Sequence, residues 1–317
     1  MTARAFHRWA IGATVGVCVV IVAGGVVRLT GSGLGCDDWP NCNTERFVDV
    51  SSAHAAIEQL NRLLSALIGI PALIIAIGCF RVRPPRRELV WPSIGLLVSI
   101  LLNGILGGLT VRGDLHPALV QSHFVLALVA VTFGMVAVER SRPFDGHGLD
   151  AVDWPDSRQL PDVQLCNRLW PWLYAVAGGT GLAIVTGTVV TGTGPHAGDE
   201  LARRWGFDIS TVARLHAVVV LATIAVFLVL IWRMRRAGLP SSVWTALSTW
   251  LFIALVQGAI GYLQYFNGVP EVLVGAHIAG ATLLWVATVH LLQISARVAG
   301  SPTASGGLVG SDDVLTG

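Results

Sequence analysis

Charge is the scarcest commodity in this 317-residue chain: Asp, Glu, Lys and Arg together make up 13% of it. Soluble domains carry about 25%, so an ordinary soluble enzyme, a disordered chain and a nucleic-acid-binding module are excluded. Lysine is absent altogether, and all 21 basic residues are Arg. Cysteine is sparse as well; five are too few for a fold built on disulfides. What the chain has instead is apolar surface. Hydrophobic residues account for 53%, which is enough for about eight helices of the ~20 apolar residues that cross a bilayer. The fold class predicted is an all-α polytopic membrane protein.

Hydropathy predicts eight spans, at about 9–28, 54–79, 90–109, 118–138, 170–190, 213–232, 243–263 and 273–293. The first follows Arg4 and Arg8, as a signal peptide would. However, the stretch from Gly24 to Arg28 offers no small-x-small cleavage site, so it reads as a retained helix. Arginine placement sets the orientation. Fourteen Arg fall on the side of the termini: residues 4, 8, 81, 83, 86, 87, 140, 142, 158, 168, 233, 235, 236 and 297. Six fall on the other side, at 28, 46, 112, 203, 204 and 214, with Arg62 inside a span. The positive-inside rule then places both termini in the cytoplasm and the protein as a multi-pass chain of the plasma membrane.

The chain repeats itself. Asn103-Gly-Ile-Leu-Gly-Gly-Leu109 matches Gln257-Gly-Ala-Ile-Gly-Tyr-Leu263 at an offset of 154, and the same offset sets His123 on His277. Thr30-Gly-Ser-Gly33 answers Thr191-Gly-Thr-Gly194, and Asn61 falls near His216. Because each half has four spans, the two bundles share one orientation. The organisation expected is a first half over 1–140, a cytoplasmic linker over 141–168, a second half over 169–297 and a disordered tail over 298–317.

Ionisable residues within a bilayer are costly and mark candidate sites. His123, His216 and His277 each lie a few residues into an even-numbered span, at matching depth, and Asn61 lies at a comparable level. Two imidazoles at one depth on neighbouring helices suit axial ligation of a haem within a four-helix bundle, which makes His216 and His277 the candidate pair. Interhelical hydrogen bonding is the plainer alternative for each. Zinc fits less well, since neither Cys nor carboxylate lies nearby to complete a tetrahedral set. Glu58 shares a helix face with Asn61 and has Arg62 at i+4, so it is either one partner of an ion pair or a carboxylate aimed at a bound molecule. The second half has Ala213 at that place. Cys36 and Cys42 flank a short Pro-containing loop and are candidates for a disulfide, structural or redox-active. Arg28, Arg112 and Arg214 line the same edge, where they would pair with haem propionates or snorkel to the interface.

These residues resemble a known family. Gly24-Gly-Val-Val-Arg-Leu-Thr-Gly-Ser-Gly-Leu-Gly-Cys-Asp-Asp-Trp-Pro-Asn-Cys42 is similar to the first-helix signature of haem A synthases. Ile57-Glu58 with Arg62, Leu119-Val-Gln-Ser-His123, Thr191-Gly-Thr-Gly-Pro-His196, Arg214-Leu-His216 and Gly275-Ala-His277 resemble its other motifs, in order along nearly the whole chain. The resemblance implies an eight-helix enzyme that oxidises the C8 methyl of haem O to a formyl, giving haem A for cytochrome oxidase. It implies haem b on His216 and His277, haem O on His123, Glu58 as the essential carboxylate and a Cys36–Cys42 disulfide. The implied partners are haem O, the bilayer, haem O synthase and an electron partner of unknown identity, with no nucleic acid. The chain departs from the pattern at Asn61, where many members carry His, which leaves open whether haem O is bound by two imidazoles or is five-coordinate through His123. An electron-transfer b-type cytochrome or quinone reductase, or a haem transporter, are the other functions such a chain could have.

Overall fold

The computed structural model describes residues 1–142, 163–200, 202–235 and 239–299. The tail beyond Ala299 and most of the predicted linker, 143–162, lie outside the described residues. Eight long helices make up the described chain: α1 (Ala3–Leu29), α2 (Ala53–Gly78), α3 (Val90–Arg112), α4 (Pro117–Ser141), α5 (Val163–Thr193), α6 (Ile209–Met234), α7 (Ser241–Phe266) and α8 (Glu271–Ala299). Each is long and apolar enough to cross a membrane, and the protein is a multi-pass membrane protein.

The helices begin where a side chain can satisfy the free backbone N–H groups of a first turn. Thr2, Ser52 and Asp208 accept from the backbone N–H three residues on, at the starts of α1, α2 and α6. Pro117, which has no N–H to satisfy, opens α4. These caps carry α1 and α6 further out than hydropathy alone suggests. Asp208 also accepts from the Ser210 hydroxyl at 2.6 Å and the Thr211 amide at 2.8 Å, and these bonds hold its carboxyl down to about 2.

Helices α1 to α4 close into a ring, with α1 packed on α2 and α4, and α3 packed on α2 and α4. In the second half α5 packs on α6 and α8, and α7 on α8, while α6 and α7 make little contact, so this ring is open on one side. The halves meet along α1–α8, α4–α8 and α4–α5. Small residues let them approach. A Cβ on Gly25 would stand 3.3 Å from Ile278, and one on Gly275 would stand 3.3 Å from Leu29. The Trp285 indole of α8 donates to Thr132 Oγ1 of α4 at 2.9 Å, fixing the seam deeper in the bundle. Two apolar cores result, one around Phe6, Ile75, Leu96 and Val131, the other around Phe227, Leu230, Leu247 and Trp250.

Candidate functional site

His216 stands seven residues into α6 and His277 six into α8, so both lie ~10 Å below the helix starts. Their rings face each other edge to face with centroids 6.5 Å apart. Glycine on the preceding helix makes room for each. A Cβ on Gly187 of α5 would lie 3.2 Å from His216 Cε1, and one on Gly261 of α7 would lie 3.5 Å from His277 Cε1. His216 Nδ1 is 3.1 Å from the Thr186 hydroxyl, which lies 2.9 Å from the Leu182 carbonyl. Assigning the hydroxyl's one proton to that carbonyl makes Nδ1–H the donor and leaves Nε2 with a free lone pair, the form a metal ligand needs. His277 Nδ1 is buried with no hydrogen-bond partner. Two metal–imidazole bonds of ~2 Å, with ~1 Å from each nitrogen to its ring centre, call for about 6 Å between centroids. The 6.5 Å separation is close to this, so the two imidazoles would hold an iron between them with a nitrogen of each ring turned toward it.

In the first half His123 stands six residues into α4. Its ring lies over Gly107 of α3, where a Cβ would be 3.1 Å from Cε1, and its Nδ1 is buried without a partner. Asn61, eight residues into α2, has its side-chain oxygen buried and unpartnered, as does Asn103 of α3. An amide oxygen is a weak ligand for iron beside an imidazole. At this depth the first half thus has one imidazole where the second has two.

Glu58 is held through both of its carboxylate oxygens. One carboxylate oxygen accepts from Arg62 Nη2 at 2.6 Å and Nε at 3.1 Å, and the other accepts from the Cys36 backbone N–H at 2.7 Å. The spacing of four residues makes the ion pair readable in sequence, whereas the bond to Cys36 arises only in the fold. Arg62 extends the network, donating to the carbonyls of Asp38 at 2.9 Å and Asn41 at 3.0 Å. Cys36 and Cys42 form a disulfide, and both are almost completely buried. Arg112 reaches the same loop, donating to the Trp39 carbonyl at 2.6 Å, while the Trp39 indole lies where a Cβ on Gly108 would be. Gly35 passes so close to the His54 backbone that no side chain fits there. The loop is thus bolted across α2 and α3, next to the Gly107–His123 contact. His54 itself bonds Ser32 Oγ at 3.0 Å.

Arg28 is used between the halves: its guanidinium donates to the His196 carbonyl at 2.6 Å and the Thr191 carbonyl at 2.9 Å. The backbone repeats this tie, with Gly33 N–H donating to Gly198 O at 2.8 Å. Arg214 is exposed at the start of α6. At the opposite end of the bundle, buried Glu139 of α4 bonds Arg142 at 2.8 Å, and His290 and Arg297 of α8 at 2.9 Å each. His290 is therefore part of a clasp between halves. Among the residues that shape these sites, Thr186, Gly187, Gly261, Asn103 and Glu139 escape sequence reading. The repeat motif contains Asn103 and Gly261, but ring-on-glycine packing is set by tertiary register.

A family model described as "Cytochrome oxidase assembly protein", COX15-CtaA, matches residues 7–198. The chain belongs to this family. It is also similar to proteins named "Heme A synthase". With that of Halalkalibacterium halodurans it shares 26% identity over 294 residues, 89% of this chain and 90% of the relative. With that of Geobacillus kaustophilus the identity is 30% over 128 residues, 40% of each chain. With that of Lysinibacillus sphaericus it is 25% over 146 residues, 44% of this chain and 48% of the relative. In the last two cases the similarity spans less than half of the relative's length.

Proposed function

We propose that this chain is an oxidoreductase that converts the C8 methyl of haem O to a formyl group, yielding haem A for cytochrome oxidase. The facing pair His216 and His277, 6.5 Å apart and backed by glycine, carries the reading, with the family membership behind it. In this reading the second half, 169–297, holds a resident haem b through those two imidazoles. A haem b held there would supply one-electron transfer. The first half, 1–140, binds haem O as substrate through His123.

Glu58 is proposed as the essential carboxylate. Its Oε2 accepts only the Cys36 N–H, which leaves an acceptor site on that oxygen for the catalytic role while the ion pair with Arg62 holds the disulfide loop in place. Asn61 leaves the substrate iron without a second imidazole and so five-coordinate. Arg214, exposed and close in sequence to His216, is the candidate for pairing with a propionate. Arg28 and Arg112 add positive charge at the same level, with some of their five N–H donors already given to backbone carbonyls. The recurrence of histidine over glycine at Gly107 and Gly261, offset by 154 like the histidines themselves, supports a parallel duplication. The arginine excess at one end supports cytoplasmic termini in a plasma membrane. Haem O synthase as donor of the substrate and an electron partner complete the proposal.

Incubating purified protein with haem O and extracting the porphyrins tests it. Appearance of the formyl product is the expected result. Haem O returned unchanged beside an intact b-type spectrum would instead indicate an electron carrier. Haem O bound and passed on unchanged, with no resident haem, would indicate a transporter.

A further inference from the structure

The helix that backs His123 carries a group with no task in the scheme above. Asn103 lies on the inward stripe of α3, one turn from Gly107, and its backbone adjoins the His123 ring. Its side-chain oxygen is buried and accepts no hydrogen bond. Within a membrane span a leucine could fill such a place, whereas an unpaired amide costs free energy. The register equivalent in the second half is Gln257, whose amide lies against Gly280 and is not left with a buried unpaired oxygen. The free acceptor at this register is therefore found in the half assigned to the substrate.

We propose that the Asn103 carboxamide recognises the half-oxidised substrate, accepting a hydrogen bond from the hydroxyl of the hydroxymethyl haem. The inference rests on the reading of the first half as the haem O site. The C8 methyl has no donor, and the formyl has only an acceptor. Of the three oxidation stages, the alcohol alone can satisfy a lone acceptor. An acceptor placed beside the substrate's iron ligand binds the middle stage more tightly than the first. It thereby favours retention of that stage for the second oxidation over its release. Sites built to bond a hydroxyl discriminate against ligands that lack it, because the buried partner is then left unpaired.

The test compares Asn103→Leu and Asn103→Gln with the parent protein, by optical titration with haem O and, separately, with chemically prepared hydroxymethyl haem. Asn103→Leu should weaken the hydroxymethyl haem about tenfold while leaving haem O within about twofold. It should also raise the proportion of hydroxymethyl haem released during turnover. Asn103→Gln, which keeps the amide, should recover much of the loss. The b-type spectrum of the second half reports folding in both variants. Equal weakening of both ligands would overturn the inference and make Asn103 a shaping residue. No change for either ligand would overturn it too, leaving the amide to packing or a bound water. Parent protein that binds neither haem would remove the underlying assignment of the first half, an outcome distinct from indifference of the variant alone.

Discussion

In the second half, two imidazoles face each other and are supported by the helices that carry and flank them: Gly187 and Thr186 behind His216, Gly261 behind His277. In the first half a glycine again backs His123, but α2 carries Asn61 near the register at which α6 carries His216. There a loop supplies the rest, pinned by Glu58, Arg62, Arg112 and a disulfide. The rings of helices differ in the same sense, the first closed beside its loop, the second open between α6 and α7. One scaffold thus supports two kinds of site. The facing imidazoles of the second half are set by helix positions and the Thr186 hydroxyl. The first depends on a polar network that one substitution can dislodge, so equal chemical changes should have unequal consequences in the two halves.

The largest difference should come from Glu58→Ala. It strands Arg62, whose side chain is 18% exposed, and leaves the Cys36 N–H unpaired. Removing one member of a buried ion pair costs about 3–5 kcal/mol. Thermal unfolding in detergent should show that loss, with haem A formation abolished. Glu58→Gln keeps an acceptor for Cys36 but not the charge, and should lose turnover with a smaller fall in stability and an unchanged b-type spectrum. Full activity per mole of folded Glu58→Gln would show that the charge is dispensable.

Next in size is the disulfide. Replacing Cys36 and Cys42 together by Ser opens a short loop and should cost about 2–3 kcal/mol. Differential alkylation of the parent protein should find both sulfurs protected until reductant is added. A drop in activity far beyond the drop in folded protein would favour a redox role over a purely structural one.

Thr186→Val removes the hydroxyl that orients His216 and should weaken retention of the resident haem about tenfold, read by haem loss to an apoprotein acceptor. First-half substrate binding should not change. The smallest effect is expected at Asn61. Asn61→Ala should keep haem O consumption within about twofold, because in the proposed reading His123 rather than the amide holds the iron. A loss as severe as that of His123→Ala would erase the asymmetry between the halves.

Much of the fold is legible in the sequence because a bilayer leaves so few solutions. Twenty apolar residues must be helical, and arginines must cluster at span ends. Helix ends are less legible. α1 begins at Ala3 because Thr2 caps it and Phe6 and Ala10 are buried, features that an apolar count does not register. The histidines stand out because an ionisable residue in a span is rare. Their supports do not, since a glycine under a ring looks like any other helix glycine until the neighbouring helix is placed. The Glu58–Arg62 pair follows from local spacing. The bonds from Arg28 to the His196 carbonyl and from His290 to the Glu139 carboxylate join residues 168 and 151 positions apart, and only the tertiary structure brings them together.

The division of labour between the halves is tested most directly by measuring b-type haem per mole of purified protein in His216→Leu, His277→Leu and His123→Ala. Either change in the second half should remove most of the low-spin absorbance, while His123→Ala should retain it at the parent level and fail to bind added haem O. Retention of the full absorbance by both second-half variants, or its loss in His123→Ala, would contradict the assignment.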